Sequence, residues 1–126
     1  MRMQSAEGAV TKDIAEAKAE RLLYWLGFRP TYKGFAYLAC GIQLAAQDSD
    51  YLTHLTTALY PAIAQHFQTT ADSVERSLRT AIQAFWKNGN RDLFNKIAGY
   101  AIKNKPYTGE FIGILSAYLR LQGIKL

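Results

Sequence analysis

One cysteine, three prolines and two histidines are spread over 126 residues, and each scarcity removes a class of chemistry. A lone thiol, Cys40, cannot close an internal disulfide, so core packing must hold the fold, and a reducing cytoplasm suits it. His54 and His66 have no cysteine or acid at ligand spacing, so no metal or other cofactor is expected. Asp48 and Asp50 form a D-x-D pair but lack the glycine and the later glutamate of a calcium loop, and helix capping accounts for them better. Neither a glycine-rich phosphate loop nor a nucleophile elbow is present, which leaves an enzyme without positive support. No apolar run approaches the ~20 residues of a membrane span, and Met1–Val10 holds no apolar stretch that could act as a secretion signal.

Apolar residues nevertheless make up 49% of the chain at a mean hydropathy of −0.13, the balance of one globular domain with a real core. Net charge is +5 and unevenly placed. From Phe94 onward Lys96, Lys103, Lys105, Arg120 and Lys125 face Glu110 alone, so the last third favours a polyanionic partner.

Helical periodicity runs through nearly all of it, and no stretch reads as a strand. Residues 1–11 read as an N-terminal arm, and 12–126 as a single helical domain. Lys12–Leu26 turns Ala15, Ala19, Leu22, Leu23 and Leu26 inward, with Gly27 as its stop. Gly34–Gln47 forms a second helix and Tyr51–Ala58 a third, Asp48-Ser49-Asp50 ending one and capping the next. Asn88-Gly89-Asn90 is a turn in which Gly89 suits a left-handed C-cap, and Asp92–Ala98 a short helix. Thr108 caps a last helix, Gly109–Leu121, closed by Gly123. Tyr24, Trp25, Phe28, Phe85, Trp86, Phe94 and Tyr100 are expected in the core. The expected class is all-α, a compact bundle of about six to seven helices containing a helix-turn-helix.

That helix-turn-helix lies between Leu59 and Trp86. Pro61 suits the first position of a short helix ending at Phe67, and Gln68-Thr69-Thr70 interrupts it. Either threonine can cap the next helix, and Thr69-x-x-Asp72 has the form of a capping box. Val74, Leu78, Ala81, Ile82 and Phe85 then make one apolar stripe. Burying its four large members contributes roughly 6–12 kcal/mol before ordering entropy. The other face carries Ser73, Arg76, Ser77 and Thr80, with Glu75 and Arg79 beside them. Short hydroxyls permit close approach to the DNA major groove, and arginine can pair bidentately with guanine. These six residues are the candidate base contacts. Thr69, Thr70, Lys87, Lys103 and Lys105 are the candidate phosphate contacts. A solvated face with an i, i+4 Glu75–Arg79 pair is the plain alternative.

The order of residues goes further than a generic helix-turn-helix. Lys33-Gly34-Phe35 with Tyr37-Leu38, Leu59-Tyr60-Pro61 with Ile63-Ala64 and Phe67, and Thr69-Thr70 before Val74-Glu75-Arg76 occur in sequence. Arg79 with Ala81-Ile82, Trp86 with Gly89-Asn90, Gly99-Tyr100, Lys105-Pro106 and Glu110-Phe111-Ile112 follow. Together, over about Leu22 to Leu121, they resemble the C-terminal effector domain of the sporulation response regulator, stage zero sporulation protein A.

The resemblance implies a helical DNA-binding fold that lays the Ala71–Trp86 helix in the major groove of a promoter and activates or represses transcription. By position, Glu75, Arg76 and Arg79 match that family's recognition helix, and Arg76 is the expected guanine contact. Ser73 and Thr80 depart from it, where the family usually carries arginine and histidine, so its promoter sequence does not carry over. The family's receiver domain has no room in Met1–Gly27; an excised or stand-alone effector, or a relative controlled in another way, is expected. Double-stranded DNA is the expected partner. A homodimer on tandem or inverted half-sites and RNA polymerase are further candidate partners, and no membrane is. The competing class is a helical protein-interaction module whose basic last third docks an acidic partner.

Overall fold

The computed structural model describes residues 17–125, with side chains as far as residue 122; the expected arm and the start of the first helix lie outside them. Helix α1 (17–25) leads to α2 (Lys33–Gln47), and a 3-10 turn (Ser49–Thr53) and a π turn (Leu55–Leu59) lead into α3 (Tyr60–Phe67). Helices α4 (Ala71–Asn88), α5 (Arg91–Ala98) and α6 (Thr108–Lys125) complete the chain, with no strand among the described residues. The protein is all-α.

The centre is α2, apolar almost all round and buried from Gly34 to Ala45 apart from Ala36 and Leu44. It packs chiefly on α6 and α4, while α3 lies on α4 and α5 on α6. Four phenylalanines close the far end of the core. Phe28 stacks on Phe85 at 5.4 Å, Phe94 on Phe111 at 5.0 Å, and the two pairs meet edge to face. Each such ring pair adds about 0.5–1.5 kcal/mol to area burial.

Several expectations are corrected. No α-helix covers Tyr51–Ala58. The Asp48 carboxylate accepts from Asp50 N–H and the Thr53 hydroxyl donates to Asp50 C=O, side-chain bonds that favour a tight turn over a helix. Ala58 and Leu59 then both donate to His54 C=O, one turn widened just before Pro61, which has no N–H to give. Gly89 is not left-handed but extended, at φ −83° and ψ 179°. Its role is steric, because a Cβ there would stand 2.1 Å from the Phe85 ring. Gly27 does stop α1 at φ +99°. Gly123 closes nothing, since α6 runs on to Lys125. Tyr24, Trp25 and Tyr100 are exposed, not core; Tyr24 still sets its ring edge-on to Phe35.

Where α2 crosses α4, Gly34 sets the separation. A Cβ there would lie 2.7 Å from Ala81 Cβ and 3.0 Å from the Ser77 carbonyl oxygen. Alanine would gain about 1 kcal/mol of helix propensity, but overpacking against backbone costs about 1–3 kcal/mol. Gly34→Ala therefore lowers unfolding free energy in urea titration; an unchanged or raised midpoint would contradict the close crossing.

Candidate nucleic-acid interface

The turn before α4 is built by its backbone. Gln68 adopts the left-handed conformation (φ 57°, ψ 49°), and Thr69 N–H reaches back to Ala64 C=O at 2.9 Å. Of the two threonines Thr70 is the cap, its hydroxyl accepting from Ser73 N–H at 3.1 Å. Thr69 lies one residue too early and half-buried, so the capping box expected from Thr69 and Asp72 is replaced by this single bond. The apolar stripe is sealed: Val74, Leu78, Ala81, Ile82 and Phe85 are all buried.

With that stripe inward, the rest of α4 divides into three bands. Arg76, Thr80, Gln83 and Lys87 run along its outermost line, all exposed. Gln83 was missed in sequence, although its spacing from Arg76 and Thr80, opposite the core stripe, was there to read. One flank carries Glu75 and Arg79, joined in an ion pair whose side chains remain about half exposed. Such a pair is worth about 0–1 kcal/mol and opens easily. The other flank carries half-buried Ser77, facing the start of α2, and a groove of 560 Å³ lies between. Arg76, Ser77 and Thr80 line that groove together with Thr31–Gly34.

The remaining candidates are dispersed. Half-buried Ser73 sits in the first turn with its N–H on the cap. Lys87 lies about 25 Å along the helix from Thr70, too far for one phosphate to join them. Exposed Lys103 and Lys105 occupy the loop before α6, and Asn95 Oδ1 anchors that loop by accepting from Ile102 N–H at 3.0 Å. Its other end is fixed at Thr108, whose side chain hydrogen-bonds with buried Tyr60 beside Glu75 and Arg79. Burial holds the Tyr60 phenol above its ordinary range, the nearby Glu75 charge adding to this and the Thr108 bond and Arg79 opposing it.

Among the described residues no cluster of His, Cys, Asp and Glu could hold a metal ion, and no helix is long and apolar enough to cross a membrane. Residues 19–119 match the family described as "Sporulation initiation factor Spo0A C terminal". The chain belongs to that family. A Spo0A C-terminal domain is the DNA-binding effector part of a sporulation transcription factor, and the family is not one of enzymes.

Two outcomes follow from this local build. Thr70→Ala costs about 1 kcal/mol, whereas Thr69→Ala stays within about 0.5 kcal/mol; equal losses in denaturant titration would contradict a single cap. Above pH 10 the unfolded chain gives up the Tyr60 proton while the folded chain keeps it. This group's contribution is therefore whole below pH 10 and falls as pH rises through the folded value. Tyr60→Phe should flatten that alkaline decline in melting temperature, at a cost near neutrality of about 1 kcal/mol for the lost hydrogen bond.

Proposed function

We propose that this Spo0A C-terminal domain is a sequence-specific regulator of transcription that places α4 in the major groove of double-stranded DNA. The observation that carries it is the outward line of α4. Arg76, Thr80, Gln83 and Lys87 are all exposed along one side of a rod whose opposite side is wholly buried. An α-helix about 10–12 Å across fits a groove about 12 Å wide. Arg76 is the bidentate guanine reader. Ser73, Ser77 and Thr80 permit close approach, and Glu75 and Arg79 act from the flank.

Thr69, Thr70, Lys87, Lys103 and Lys105 would meet phosphates at different points along the duplex, which fits their dispersal. A regulator that works on chromosomal DNA would act in the cytoplasm, which is the location inferred for it. A second copy on tandem or inverted half-sites and RNA polymerase are the partners such a regulator would take. A protein-interaction module remains the alternative, supported by Ser73 and Thr80, which depart from the family's pattern.

Anisotropy titration with duplex at low salt separates the two. A DNA binder shows log affinity falling with log salt by about 0.9 per phosphate neutralised. Arg76→Ala relaxes preference at one base pair by about 1–3 kcal/mol and leaves binding to random duplex nearly unchanged. Equal loss on selected and random duplex removes Arg76 as a base reader, and indifference to duplex in a folded protein favours the interaction module.

A further inference from the structure

The groove beside Arg76 does not end at α2. A second groove, of 320 Å³, shares Tyr32, Ala81 and Ala84 with it, so one continuous trough follows α4 from Arg76 to Asn88. Gly34, Ala81 and Ala84 are among its lining residues, and Arg29, Lys33 and Arg76 bring three cations to it. No carboxylate lines either part. Tyr32 stands half-exposed where the two parts join. The separation of these groups from α4 is fixed, because Gly34 lets α2 start directly against the Ser77 carbonyl.

We propose that this trough seats the sugar-phosphate backbone of one DNA strand, with Lys33 and Arg29 as phosphate ligands and Tyr32 donating its hydroxyl to the same strand. The proposal rests on α4 entering the major groove. A helix nearly as wide as the groove has a strand along each flank. On one flank the Glu75 carboxylate and Arg79 neutralise each other, whereas the trough flank presents cations only. A polyanion is therefore held more closely on the trough side, by contacts that set the register of α4 without reading sequence. None of the three residues belongs to the helix-turn-helix itself.

The test uses the full chain with the double variant Arg29→Gln/Lys33→Gln, titrated with selected and mixed-sequence duplex between 50 and 200 mM salt. The salt slope should become shallower by about 2, at about 0.9 per phosphate, equally on both duplexes and with sequence preference intact. Lys33→Arg should restore its share. Both residues are exposed, so each single variant gives the same reading, at about half the change, if the double variant melts early. Duplex binding with an unchanged slope overturns the trough and leaves α4 insertion standing. An unchanged slope with lost affinity for polyglutamate assigns the trough to an acidic protein instead and also overturns it. Wild-type chain that ignores duplex overturns both.

Discussion

Backbone meets backbone where α2 crosses α4, and the rest of the molecule is arranged by that contact. With no side chain at Gly34, the Ser77 carbonyl and Ala81 lie directly against α2. The crossing fixes which side of α4 is sealed and which is bare. It also fixes where the loop of Arg29 and Tyr32 stands relative to Arg76. Because α2 is buried on nearly every side, it cannot tilt to relieve a misfit without disturbing α6 as well. The surface that would meet DNA thus takes its shape from a helix that, beyond its first residue Lys33, is turned almost wholly to the core.

Periodicity made the α4 stripe legible in full, because five apolar residues at helical spacing on a strongly two-sided helix leave one way to pack. Gly27 and the turn after Phe67 were equally plain. Residues 49–59 were not, for their apolar spacing is helical and only the side chains of Asp48 and Thr53 argue otherwise. Gly89 misled for a different reason: glycine after a helix usually signals a left-handed cap, whereas here it makes room for a core ring.

Exposed aromatics were the least legible, since Tyr24 and Trp25 differ from core rings only in the direction they face. On the candidate site, Arg76 and Thr80 could be placed on a bare face from sequence, and Gln83 could have been. Arg29, Tyr32 and Lys33 could not. Their closeness to α4 comes from a crossing between segments some forty residues apart, which no local pattern records.

The Glu75–Arg79 pair gives the exposed surface a graded rather than uniform charge. Arg76 is exposed and in no ion pair among the described residues, whereas Arg79 is already matched by a neighbour one turn away. A nonspecific encounter in which phosphates stay hydrated offers Arg79 nothing better than the carboxylate it has. On the proposed reading, only a site close enough to shed its water and displace Glu75 would recruit that second guanidinium. In the proposed complex the pairing would set a low threshold, of at most about 1 kcal/mol, that a well-fitted sequence crosses and a random one need not.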